Sequence, residues 1–149
     1  MTNDTELEVF RALRETQNRY TYFLLATAGA AIALAINQTR DVPLALFQIP
    51  LALAVVCWGL SFFFGCRNLA YVSSSLYANA ELFRVQRGEH PLIGHHPDKI
   101  AAGSEGIREA IEYNSHWANR FGHWQFRFLV AGAVFYIAWH VLEMFLRSV

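Results

Sequence analysis

Charged residues are scarce in this chain, and the scarcity is concentrated in three stretches. Only 16% of its 149 residues are charged, whereas 54% are hydrophobic. No charge occurs from Phe23 to Ile36 or from Val42 to Cys66, and between Phe128 and Leu142 only His140 titrates near neutral pH. Because a helix of about 20 apolar residues crosses the hydrocarbon core of a bilayer, this distribution predicts an integral membrane protein.

Other absences exclude whole classes of protein. Cys57 and Cys66 are the two cysteines, and in one helix they would lie about 13 Å apart along the axis, which excludes a disulfide within it. The chain has no Gly-rich phosphate loop, no G-x-S-x-G motif and no H-E-x-x-H motif, so nothing indicates the sites that depend on them. Its arginines are spread among acidic residues, and nucleic acid is therefore not an expected partner.

The predicted fold is an all-α membrane protein with three transmembrane helices, over residues 20–37, 42–66 and 126–146. Residues 1–19 are predicted to form an amphipathic cytoplasmic helix, with Leu7, Phe10 and Leu13 on its apolar face. Helices 2 and 3 are predicted to extend beyond the spans into an antiparallel helical hairpin over residues 67–125. Prolines and glycines place its tip at residues 88–103, and Ser104 is the expected N-cap of the returning helix.

The distribution of basic residues predicts the orientation. Three of the twelve precede the first span, seven lie between the second and third spans or at their facing edges, and only Arg40 and Arg147 lie elsewhere. Lysine and arginine accumulate on the cytoplasmic side of membrane proteins. We therefore expect a multi-pass protein of the plasma membrane, or the inner membrane in a bacterium, with a cytoplasmic amino terminus and a cytoplasmic hairpin.

Apolar residues at helical spacing continue past the predicted spans. One seam, before the tip, includes Leu76 and Phe83, and a matching seam after the tip includes Ile107 and Ile111. Spacings of three and four residues are typical of helices that pack together. The two seams predict a homo-oligomer as well as the hairpin.

Small residues are abundant in the first span, and they include a Gly29-x-x-x-Ala33 step. Helices in lipid associate by close packing through small residues. This step is expected to contact another helix, either in the same chain or in a second copy.

The segment EHPLIGHHP, residues 89–97, holds three of the six histidines. The favoured interpretation is a hairpin turn, without metal or other cofactor. The alternative is a membrane-anchored metalloprotein or enzyme, because imidazole is a common ligand of transition metals and the next helix adds further candidate ligands. The residues of this alternative are His90, His95, His96, Glu112 and His116.

Two polar residues stand within the third span. His140 lies near its middle, where an ionisable group usually faces another helix or water. It predicts either an interhelical hydrogen bond or a proton-sensitive site. Glu143 lies one turn further on and is expected to pair with Arg147.

The favoured function is that of a non-enzymatic oligomeric membrane protein. Its hairpin is expected to bind a cytoplasmic protein or a small-molecule signal, while its spans, in contact with membrane lipid, gate or perturb the bilayer. The spans carry too few polar residues for a permanently hydrated pore, which leaves a narrow apolar constriction as the form a channel would take. This layout resembles, in architecture only, small multi-span effectors of prokaryotic antiviral defence systems, which sense a signal in the cytoplasm and oligomerise in the membrane.

Overall fold

The computed structural model describes residues 2–39 and 46–147. This part of the chain is helical with no strand, which confirms the predicted all-α class. The apolar face predicted for residues 1–19 rests on side chains outside the described part. The elements are α1 (Thr2–Thr39), a short 3-10 turn (Leu46–Gln48), α2 (Ile49–Gln86) and α3 (Pro97–Arg147).

All three helices are long and apolar enough to cross a membrane, as the sequence predicts. The qualifying segments are Glu15–Thr39, Ile49–Gln86 and Pro97–Leu146. A bilayer requires only about 20 helical residues, whereas α2 has 38 residues and α3 has 51. Both helices therefore have long segments to spare beyond a single crossing.

The chain divides into two compact units. The first unit contains residues 1–66 and 122–149, and the second contains residues 67–121. The division falls directly after Cys66, at the end of the longest charge-free stretch of the sequence.

The first unit is a three-helix bundle in which α2 runs antiparallel to both α1 and α3. The buried residues of α2 recur at spacings of three and four, the period of helices that interlock side by side. Its central cluster combines Ala35 of α1 with Trp139 of α3 and residues of α2. The buried positions of α2 in this unit are Leu51, Ala54, Trp58, Ser61 and Gly65.

The Trp58 side chain depends on a glycine in the opposite helix. Trp58 is 5% exposed, and its Nε1 donates a hydrogen bond to the carbonyl oxygen of Leu129 at 3.3 Å. A Cβ atom at Gly132 would lie 2.5 Å from the Cδ1 and Nε1 atoms of the indole. Gly132 therefore provides the space in which the largest side chain of the α2 face contacts α3.

The second unit is the antiparallel pair formed by the end of α2 and the beginning of α3. Asn68 donates a hydrogen bond from Nδ2 to the carbonyl oxygen of Ala118 at 2.6 Å. The Tyr71 ring stacks on Phe121 of α3, with the ring centroids 5.5 Å apart. Val85 is fully buried near the other end of the pair.

The turn between the helices is shorter than the predicted tip at residues 88–103. Gly88, at φ +72°, ends α2, and the amide of Glu89 donates to the carbonyl oxygen of Arg84, a Schellman arrangement that favours glycine. The helix α3 begins at Pro97, because proline is well suited to a first helical position where no amide hydrogen is needed. The prediction that Ser104 caps this helix is wrong, since Ser104 lies buried inside α3.

Candidate functional site

A buried polar layer crosses the first unit where the three helices meet. Ser61 of α2 donates a hydrogen bond from Oγ to the carbonyl oxygen of Gln125 at 2.8 Å. The Gln125 side chain is 1% exposed, and its Nε2 lies 3.5 Å from the carbonyl oxygen of Thr21 in α1. A Cβ atom at Gly65 would lie 2.5 Å from this Nε2, so glycine leaves room for the amide.

This layer links the three helices through hydrogen bonds. Its donors are a hydroxyl and an amide, and the acceptors are main-chain carbonyl groups, which is how polar side chains connect helices in lipid. The layer was not predicted from the sequence, because Gln125 directly precedes the predicted third span. The available signal was the spacing of Ser61, which shares the heptad face of Trp58 and Gly65.

Among the described residues, His140 does not form the expected contact with another helix. It is exposed on α3, with its ring centroid 6.3 Å from that of Trp139. It makes no hydrogen bond to α1 or α2 in the part of the chain that the structure describes. The interhelical hydrogen bond and the proton-sensitive site both stay predictions.

Glu143 lines a cavity of about 260 Å³ in the first unit. The side chain is half-buried, and its predicted partner Arg147 has a side chain outside the described part. Trp139 presents a buried Nε1 hydrogen with no acceptor among the described residues. The cavity has room for several water molecules and polar groups to bind them. Its lining residues are Gln38, Thr39, Phe47, Gln48, Trp139, Glu143 and Leu146.

The small-residue step of α1 lies away from the helix contacts of the bundle. Ala33 is exposed, and a Cβ atom at Gly29 would meet nothing within 4 Å. The helix instead packs through Ala28 and Ala35, which are both buried. The expected contact of Gly29 and Ala33 with another helix is not formed among the described residues, and their packing against a second copy stays a prediction.

The two predicted seams occupy different positions in the second unit. Ile107 and Ile111 are half-buried, on the face of α3 that also carries the buried Ala118. Leu76 and Phe83, in contrast, are 38% and 60% exposed. The inward face of α2 lies one residue away from the predicted seam, where polar Ser75 and Asn79 replace the expected apolar residues. The participation of all four seam residues in an oligomer stays a prediction.

The histidine segment is organised as a turn. The Nδ1 atom of His90 accepts a hydrogen bond from the Leu92 amide at 3.3 Å, and its carbonyl oxygen accepts from the amides of Ile93 and Gly94. The His95 imidazole occupies the space beside Gly88 that a Cβ atom would otherwise fill. Two of the three histidines are thus integrated into the turn itself.

The candidate metal ligands are not brought together. Glu112 and His116 are exposed on α3, and the His116 ring lies 6.2 Å from that of Trp117. Among the residues that the structure describes, no three histidine, cysteine or acidic side chains are grouped closely enough to hold a metal ion. A site would need several such ligands at bonding distance, so the geometry gives the metalloprotein alternative no support.

Comparison with known proteins identifies no relative. No protein-family model matches the chain, and neither a curated protein nor a solved structure matches it significantly.

Proposed function

We propose that this chain is a multi-pass integral membrane protein that assembles with further copies of itself and acts without catalysis. Its amino terminus and hairpin lie in the cytoplasm, and the membrane is the plasma membrane. The hairpin binds a cytoplasmic protein or a small-molecule signal, and the spans respond by gating or perturbing the bilayer. The chain resembles small multi-span effectors of prokaryotic defence systems in architecture, and this resemblance favours a signal on the cytoplasmic side.

The outward faces of the bundle support a location in lipid. Large apolar side chains project from every helix, such as Phe23 of α1 at 65%, Phe63 of α2 at 56% and Val134 of α3 at 60% exposure. Monomeric soluble proteins rarely expose contiguous apolar surface on this scale. These faces are satisfied by acyl chains or by other copies of the bundle.

The single observation that carries the assembly is an apolar row on α2 beyond the charge-free stretch. Leu69, Leu76 and Phe83 recur every seven residues in the second unit, and we call them the outer stripe. Leu76 and Phe83 are exposed and Leu69 is half-buried. A seven-residue apolar repeat is the pattern by which one helix packs along another, and the hairpin's own α3 leaves much of this row uncovered.

The proposed occupant of the outer stripe is the same stripe of a second copy. Fully burying a leucine or phenylalanine side chain stabilises by about 1.5–3 kcal/mol. The exposed fractions of Leu76 and Phe83, 38% and 60%, together amount to about one such side chain, so covering them contributes about 1.5–3 kcal/mol per copy. This is too little for stable assembly alone. We propose that the burial of Leu76 and Phe83 adds to close packing between the spans of two copies through Gly29 and Ala33.

Particle mass tests the assembly. The detergent-solubilised protein is measured by light scattering as wild type, as Leu76→Glu and as Ser74→Glu. We expect the wild type and Ser74→Glu to have the same multiple of the 17.0 kDa chain mass, and Leu76→Glu to have a smaller mass. Both side chains are exposed on the same helix, so the control introduces the same charge away from the outer stripe.

Two outcomes would contradict the proposed assembly. One is a wild-type particle that contains a single chain. The other is an unchanged mass in Leu76→Glu, with circular dichroism showing that the helices are intact. The exposure of Leu76 makes this variant suitable, because a glutamate there does not have to be buried in the fold of one chain.

A further inference from the structure

Five side chains of the second unit form a cluster in which arginines lie over aromatic rings. The Tyr71, Trp117 and Phe121 rings stack on one another, with centroids 5.5–6.5 Å apart. The guanidinium carbon of Arg67 lies 5.2 Å from the Tyr71 ring centroid and 5.8 Å from that of Phe121. That of Arg120 lies 5.3 Å from the Trp117 ring centroid. We call these five residues the Arg–aromatic cluster.

Arg67 and Arg120 differ from three other arginines of the chain in their charge partners. Arg67 and Arg120 are both exposed, and neither forms an ion pair with a carboxylate of the described residues. Three other arginines are held by acidic neighbours at 2.7–3.4 Å. These pairs are Arg19 with Glu15, Arg84 with Glu81 and Arg87 with Glu89.

Stacking on a ring leaves an arginine able to bind an anion. A guanidinium group that stacks on a ring uses its flat face, which leaves its N–H donors pointing outward in the plane. Apart from the Nη2 atom of Arg67, which donates to the Tyr71 hydroxyl at 3.2 Å, no hydrogen bond within the described part occupies these donors. Such a fork matches two oxygens of a phosphate group, and the rings restrict its orientation before the ligand arrives.

The cluster has a defined position along the chain. Arg67 directly follows the charge-free stretch 42–66, and Arg120 precedes the predicted third span by six residues. Tryptophan and tyrosine are enriched at this depth, where an apolar ring meets polar headgroups. The cytoplasmic leaflet also carries the anionic lipids to which basic residues beside a span are attracted.

We propose that the Arg–aromatic cluster is a binding site for the phosphate of an anionic phospholipid in the cytoplasmic leaflet. Arg67 and Arg120 bind the phosphate oxygens, and Trp117 and Phe121 contact the glycerol and the upper acyl chain. The inference rests on the proposed membrane placement of the spans. Beyond that placement, the inference predicts that the protein prefers phosphatidylglycerol to phosphatidylcholine.

Competition between two lipids tests this preference. The full-length protein is reconstituted in nanodiscs with equal amounts of phosphatidylglycerol and phosphatidylcholine, and the retained lipids are counted by native mass spectrometry. We expect the wild type to retain phosphatidylglycerol preferentially. Arg67→Gln and Arg120→Gln should each lower that preference by about fivefold, the effect of one basic residue near the surface. Arg108→Gln is the matched control, because it removes the same charge from an exposed position of α3 outside the cluster.

Two further arms define the ligand and the donor geometry. Millimolar glycerol phosphate should leave the retained lipid in place; displacement at that concentration would overturn the lipid assignment in favour of a soluble phosphate site. Arg67→Lys keeps the charge but loses the planar fork, so it should lower the preference by less than Arg67→Gln but still measurably.

The outcomes separate this inference from the proposed function. A wild type that enters nanodiscs but retains both lipids equally, or a loss in Arg108→Gln equal to that in Arg67→Gln, overturns the cluster as the site and leaves the membrane placement standing. A wild type that stays outside the nanodiscs overturns both.

Discussion

Replacing Gly132 with alanine should weaken the helix bundle, because the new methyl group would meet a side chain that has no room to move. The Cβ atom would lie 2.5 Å from Trp58 Cδ1 and 3.0 Å from Cε2, whereas ordinary contacts are 3.4–4 Å. The indole ring would have to shift by about 1 Å. It is rigid and buried, and the ring of Tyr136 lies 5.7 Å away.

The size of the effect follows from two contributions. Overpacking of this kind usually costs about 1–3 kcal/mol, and a shifted indole would also lose the hydrogen bond to Leu129, which contributes about 1 kcal/mol. Alanine has a higher helix propensity than glycine, so the matched comparison is Gly59→Ala. A Cβ atom at Gly59 meets nothing within 4 Å. We expect Gly132→Ala to be less stable than Gly59→Ala by about 2–4 kcal/mol.

The assay is unfolding of the micellar protein by a denaturing detergent, followed by circular dichroism. A double-mutant cycle with Trp58→Leu isolates the contact, because the smaller side chain should remove most of the penalty at Gly132. Equal midpoints for Gly132→Ala and Gly59→Ala, or full additivity with Trp58→Leu, would refute the packing argument.

Two further predictions concern the polar layer and the turn. Ser61→Ala should lower the free energy of unfolding by about 0.5–1.5 kcal/mol, since it removes the hydrogen bond to Gln125. The control Ser73→Ala, at an exposed position, should change the free energy of unfolding by less than about 0.5 kcal/mol. Equal effects of the two substitutions would contradict the stabilising role of the polar layer. Simultaneous replacement of His90, His95 and His96 with asparagine should leave folding and particle mass unchanged. The side-chain carbonyl of an asparagine at position 90 can accept the hydrogen bond that the Leu92 amide donates to His90. Elemental analysis showing stoichiometric zinc in the wild type and none in the triple variant would contradict the turn interpretation.

The helical fold could be predicted because hydrophobicity and charge determine it locally. The charge-free stretch Val42 to Cys66 and the basic residues that follow it indicate a span and its end without reference to other helices. The period of Ile107 and Ile111 likewise identified the inward face of α3, where Ala118 is buried. In both cases the polarity of each residue alone indicates whether its side chain is exposed to water or not.

The inward face of α2 could not be predicted in the same way. Asn68, Ser75 and Asn79 are polar, so their apolar neighbours Leu76 and Phe83 appeared to form the seam. What orients the helix is a set of specific contacts, such as the Asn68 amide with the Ala118 carbonyl. Polarity alone does not reveal a partner on a distant part of the chain.

Only part of the structure of the histidine segment could be predicted from the sequence. Its prolines and glycines indicated a position between helices. The length of the turn could not be predicted, because Pro97 can either end a helix or begin one. The deciding feature is the Schellman arrangement at Gly88, which ends α2 and lets α3 begin before Ser104.

The side of the membrane on which the hairpin lies is the claim on which both proposals rest, and thiol labelling in intact cells tests it most directly. In a Cys57→Ala, Cys66→Ala background, a single cysteine is placed at Leu92, which is 85% exposed in the turn, or at Asp41 between the first two spans. Leu92 is preferable to Gly94, whose φ of +59° favours glycine. We predict that an impermeant maleimide labels Asp41→Cys in intact cells and labels Leu92→Cys only after the membrane is permeabilised. Labelling of Leu92→Cys in intact cells would contradict the account.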